Sequence, residues 1–310
     1  MLDRIEVDPR LEASNLASDH RLNAIISRLL SKRGTELERE PEPGRTYWSA
    51  PHFGLDRVDV FKAASPAQQA AILVACSRSL LRESYYIEKG GMFYTAKISL
   101  LAKTTEERMM YSMFAADEAN HFHWISRFCS REEAGDYHTH PFLNLLSEIA
   151  RRETRVTLIY ILQVVLEGWG MHHYRELAAD CEDASLKQVF ENILKDEAFH
   201  HGGGLVLFNE ETLDTAQMDG IVNILQSFLQ MIQAGPQSTV GVLDAVLGRH
   251  SDGERVRIFS QLDAEAESSR KLGLIAKCIR SARYGDEIID RLTKLGSLTP
   301  FSAEICAGIS

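Results

Sequence analysis

From Ser65 onward, apolar residues recur every three to four positions, the spacing of one face of an α-helix. Ser65-Pro66 offers an N-cap followed by proline at the first helical position, and the pattern predicts a helix from there to about Leu101. Thr104-Thr105-Glu106-Glu107 offers a capping box for a second helix, running to about Phe128. A third helical region covers about 142–180, with a break near Arg152, and a fourth runs from about Ser185 to Phe208. Beyond these, helices are expected at about 215–233, 238–248, 254–281 and 285–294, separated by Gly235-Pro236 and Ser251-Asp252-Gly253. Before position 65 the signal is weaker. One helix is expected around Asp19–Leu30, and then comes EREPEPGRTYWSAPHFG. Its prolines rule out a helix, while Tyr47, Trp48 and Phe53 are unlike a disordered linker, so it reads as an extended arm lying over the body.

The expected fold is therefore all-α. A four-helix bundle occupies 65–210, preceded by a helix and arm in 1–64 and followed by accessory helices in 211–310 that belong to the same globular unit. At 310 residues the chain is long enough to bury a large core, and its helix formers are abundant while prolines number only 8. The net charge of −10, with both signs interspersed, gives no basic face for nucleic acid. Val156–Leu166, the longest apolar stretch, is too short to span a bilayer and runs into Glu167, and MLDRIEVDPR lacks an apolar signal region. Cys76, Cys129, Cys181, Cys278 and Cys306 are odd in number and form no Cys-x-x-Cys, which points to reduced thiols rather than disulfides or structural zinc. The expectation is a soluble cytoplasmic protein with neither nucleic acid nor membrane as partner.

The long helices hold an internal repeat. Asp117-Glu118-Ala119-Asn120-His121 is followed 79 residues later by Asp196-Glu197-Ala198-Phe199-His200. The same offset sets Glu88 on Glu167, Gly91 on Gly170 and Met92 on Met171. Each half thus carries a glutamate and, 30 residues on, a Glu-x-x-His. Positions i and i+3 share a helix face about 5–6 Å apart, so Glu118 with His121, and Glu197 with His200, can each reach one ion. A lone Glu-x-x-His is usually just a solvated face. Duplicated at matched spacing, with Glu88 and Glu167 as further carboxylates, the six residues form the ligand set of a two-iron or two-manganese bundle, and the absence of thiolates argues against zinc or copper. Glu83, the rival to Glu88, is rotated about 140° off that face. Asp117 and Asp196, also duplicated, are expected behind the ligands, each accepting a hydrogen bond from the opposite histidine and fixing its tautomer. Ser84, Tyr85, Met92, Phe114, Gln163, Met171 and Ile193 are expected to line the cavity, although ordinary core packing explains most of them equally well. Gly90, Gly91, Gly168 and Gly170 sit mid-helix, where each costs about 1 kcal/mol against alanine, and close helix crossing, a bulge or space for a ligand would each account for them. His123, His172, His173 and His201 are expected near the site or on the surface.

The pattern Glu88…Glu118-x-x-His121…Glu167…Glu197-x-x-His200 resembles the ferritin-like non-haem di-iron carboxylate superfamily, over roughly residues 65–208. The resemblance implies a ferritin-like four-helix bundle, two Fe ions (Fe/Fe, with Mn/Fe the variant) and O2 as co-substrate. Where ribonucleotide reductase small subunits carry a radical tyrosine this chain has Ile125. Where multicomponent hydroxylases carry a threonine it has Met171, and where arylamine N-oxygenases add a histidine it has Ile193. The expectation is a di-iron oxidase or oxygenase acting on a small, largely apolar or amphipathic organic substrate, with a separate electron donor and a homodimer as the candidate assembly. The competitor is an iron-handling ferroxidase or storage protein, separated from the first by assembly size. A degenerate bundle used only for interaction would bind no stoichiometric metal.

Overall fold

The computed structural model describes residues 25–26, 42, 44–129, 134–135 and 140–309. Of the helix expected at Asp19–Leu30 only Ile25 and Ile26 are described, both helical; the rest lies outside the described residues. Every regular element among them is helical. Short 3-10 turns at Ala50–Phe53 and Leu55–Arg57 lead into α1 (Asp59–Ala63), α2 (Pro66–Leu101) and α3 (Thr105–Ile125). Next come α4 (Pro141–Arg152) and α5 (Arg155–Leu158), which continues as a π-helix over Ile159–Leu166 into α6 (Glu167–Asp180). The chain then forms α7 (Ala184–Glu210), α8 (Thr215–Gln233), α9 (Gln237–Leu247), α10 (Asp252–Gln261), α11 (Ala264–Arg280), α12 (Gly285–Lys294) and α13 (Ala303–Gly308). None of the described helices is long and apolar enough to cross a membrane.

The helix starts follow the sequence chemistry. Gln68 N–H donates to Ser65 Oγ at the start of α2, and Glu107 N–H to Thr104 Oγ1 at the start of α3, with the Glu107 carboxylate returning to Lys103 N–H at 2.8 Å. At α2 the Gln68 side-chain oxygen also accepts from Ser65 N–H at 3.0 Å, the reciprocal pairing of a capping box, whereas at α3 the return reaches one residue before the Thr104 cap. The helix expected over 254–281 is two helices. They are broken at Asp263, whose φ of 54° lies in the left-handed region that aspartate tolerates better than most residues.

The chain divides into two compact units. One holds Met1–Gly44 and Leu80–Arg152, hence most of α2 with α3 and α4. Within it Gly90 admits the side chain of Leu146 from α4, which makes that glycine a point of close helix crossing. The buried Lys97 of α2 donates to the carbonyls of Ala150 and Arg151, both at 2.9 Å, capping the C-terminus of α4 with a positive charge.

The other unit holds Arg45–Ser79 and Glu153–Ser310. The arm from Arg45 onward is packed on this unit's helices. Trp48 is fully buried and donates from its indole nitrogen to the Leu177 carbonyl, Arg45 pairs with Asp183, and Glu182 N–H donates to the Tyr47 carbonyl. Here α6 packs on α7, α8 on α11 and α12, and α10 on α13. Leu55, Phe61, Ile72, Leu243, Phe259 and Cys306 share one core that joins the arm, the start of α2 and the C-terminal helices. All five cysteines are free.

Candidate metal centre

In the first unit α2 contributes Glu88, and α3 contributes Glu118 and His121. The three are almost completely buried, at 1%, 3% and 0% exposure. One nitrogen of the histidine faces both acids: His121 Nδ1 lies 3.3 Å from Glu88 Oε2 and 3.9 Å from Glu118 Oε2. The ligand atoms that this trio offers lie within 4.8 Å of one another. In the second unit α6 contributes Glu167, and α7 contributes Glu197 and His200. Here His200 Nδ1 lies 3.6 Å from Glu197 Oε2, and the trio's ligand atoms again fall within 4.8 Å. The i, i+3 spacing read from the sequence thus places acid and imidazole side by side in both copies.

These separations fit a coordinated cation. A good N–H···O bond is about 2.7–3.2 Å, shorter than any of the three. Donor atoms held about 2.1 Å from an ion stand roughly 3 Å apart across a right angle, so 3.3–3.9 Å is close to a coordination edge. Two buried carboxylates whose oxygens lie within 4.8 Å repel unless a cation or proton is shared, and oxygen-rich sites with one imidazole suit iron or manganese.

The mid-helix glycines have separate explanations. A side chain on Gly91 would collide with the Glu118 carboxylate, whose Cδ would lie 2.5 Å from its Cβ, so Gly91 is the space that carboxylate occupies. Gly170, its repeat counterpart, meets nothing within 4 Å. Gly168 faces the His201 ring and the Cys278 thiol.

Gln163 is the one polar residue in the apolar run Ile159–Leu166, and it is fully buried. Its amide nitrogen donates to the carbonyl of His200 at 2.5 Å, its own carbonyl lies 3.4 Å from His201 Nδ1, and Gly204 leaves the room its side chain needs. Gln163 thereby ties the π-helical segment to the residue that carries the candidate ligand imidazole. Its polarity inside an apolar run was the available signal; the need for a small residue at 204 carried none.

Among the other expected lining residues, Ser84, Tyr85, Phe114 and Ile193 are buried, and Met92 and Met171 partly so. Tyr85 packs edge-on against Phe122, and Phe114 against Tyr111. Asp117 and Asp196 are partly buried. His173 stacks on Trp169 at 5.7 Å, and burial pushes its pKa down to about 3, so it is neutral at ordinary pH. Burial also lowers His123 and His172.

No protein-family model, curated protein or solved structure matches the chain. Fold and site therefore define its class: an all-helical protein with buried carboxylate–histidine clusters able to hold metal ions.

Proposed function

We propose that each trio holds a metal ion, as in ferritin-like bundles, and that the protein is a non-haem di-iron oxidase or oxygenase acting on a small, largely apolar or amphipathic substrate. The reading rests on one observation above all: two buried Glu/Glu-x-x-His trios at repeat-related positions, each with its ligand atoms within 4.8 Å. Glu88, Glu118 and His121 would hold one ion, and Glu167, Glu197 and His200 the other. When bound, two ferrous ions supply electrons and open positions for dioxygen, with Mn/Fe the variant composition.

The chain's own contribution is placement and exclusion of water. Gly91 admits the Glu118 carboxylate, and Gln163 fixes the backbone at His200. Asp117 and Asp196, partly buried one residue before Glu118 and Glu197, would orient the histidine rings once the ions are bound. Ser84, Tyr85, Met92, Phe114, Gln163, Met171 and Ile193 supply a mainly apolar wall that keeps bulk water away. An external donor replenishes the electrons.

The test is anaerobic loading with Fe(II), exposure to O2 with a panel of apolar and amphipathic substrates, and mass spectrometry for a product changed by oxidation. Rapid O2 uptake with an organic product supports the oxygenase. O2 uptake that deposits ferric iron in a many-subunit assembly, with no organic product, replaces it with the ferroxidase reading.

A further inference from the structure

Helix α7 buries Glu197 and His200 on one face, and on the opposite face it carries a narrow stripe of Lys195, Phe199, Gly202, Gly203, Val206 and Glu210. Phe199 is 74% exposed and Val206 63%, whereas Asn120, the repeat counterpart of Phe199, is buried at 7%. The repeat therefore does not dictate this exposure. Steps of four, three, one, three and four residues keep the stripe on one side of the helix, as a helix-helix contact requires. Gly202 has nothing within 4 Å of where a side chain would be, so its backbone is open to close approach.

The stripe is self-complementary. Phe199 stands three residues before Gly202 and Val206 three after Gly203; Lys195 stands seven before and Glu210 seven after. We propose that a second copy of this chain packs its own α7 antiparallel on this stripe, about a two-fold axis between Gly202 and Gly203. Phe199 then covers the partner's Val206, and Lys195 pairs with the partner's Glu210, each contact occurring twice as an isologous interface requires. The glycines at the axis let the backbones approach to about 8 Å, the near end of the usual interhelical range. Parallel packing would set lysine against lysine and glutamate against glutamate. An unrelated partner has no need of a stripe that reads alike from both ends, so charge and shape together select a second copy.

Sedimentation velocity of the full chain over a concentration series tests this, with circular dichroism reporting the fold of each variant. The wild type should be a dimer, and Phe199→Asp a monomer of unchanged helicity. Lys195→Glu and Glu210→Lys should each weaken the dimer about tenfold, because every charge reversal creates two like-charge contacts. The double variant should return to within about threefold of wild type, since both pairs are restored in opposite sense. A monomeric wild type, a dimer indifferent to Phe199→Asp, or a double variant no better than its single parents would each overturn the proposal. Should Phe199→Asp fail to fold, the charge-reversal series decides alone. The stripe lies on the far face of α7 from the proposed ligands, so this result stands or falls independently of metal content.

Discussion

The carboxylate of Glu118 fills the space that a side chain at Gly91 would need. Helix propensity alone favours alanine at a helix interior by about 1 kcal/mol, so Gly91 persists against a local preference. Gly91→Ala should displace the Glu118 carboxylate and weaken Fe(II) binding at least about tenfold, roughly 1.4 kcal/mol, by calorimetric titration under anaerobic conditions. Gly170→Ala is the control, with open space at that position. It should leave metal content unchanged and stabilise the fold by no more than about 1 kcal/mol.

Gln163 ties the π-helical turn to the His200 carbonyl. Gln163→Leu keeps the approximate volume and removes the donor. Urea unfolding should show a loss of about 1–3 kcal/mol, the cost of a deleted buried hydrogen bond. Elemental analysis of the folded variant should show fewer iron ions per chain than the wild type. A variant that is less stable yet keeps full metal occupancy would make Gln163 a packing residue only.

His173 titrates below its ordinary range because burial disfavours the charged ring. Its folded pKa is about 3 against an ordinary value of 6.5, so between those pH values the unfolded chain holds a proton that the folded chain does not. The associated stability is complete above pH 6.5 and is lost as pH falls toward 3, with a limiting slope of about 1.4 kcal/mol per pH unit. His123, His140 and His172 shift in the same direction through burial and add to the wild-type slope. His173→Phe retains a ring to stack on Trp169 and should flatten the stability profile between pH 6.5 and 3, measured by chemical denaturation at fixed pH steps. Parallel wild-type and variant curves would contradict this.

Local chemistry with a fixed spacing was legible in the sequence. Ser65 and Thr104 announced α2 and α3 because a cap needs only residues three apart, and the 79-residue repeat singled out Glu88 over Glu83. What depended on a distant partner was not legible. The role of Gly91 is defined by Glu118 on another helix, and that of Gly204 by Gln163. The π-helix was silent because Ile159–Leu166 is apolar on nearly every side, so a change in helical period alters no pattern. The break at Asp263 lies inside a sequence that continues the helical spacing, and neither glycine nor proline marks it.

Under the proposed function, Glu88, Glu118, His121, Glu167, Glu197 and His200 together hold two metal ions per chain. The most direct test is the iron-to-protein ratio after anaerobic Fe(II) loading and desalting, taken on wild type, Glu88→Ala and Glu83→Ala. About two ions per wild-type chain are expected, the same for Glu83→Ala, with loss of two-metal occupancy in folded Glu88→Ala. A wild-type chain that retains no stoichiometric iron or manganese, or one whose metals depend on Glu83 and not on Glu88, would contradict it.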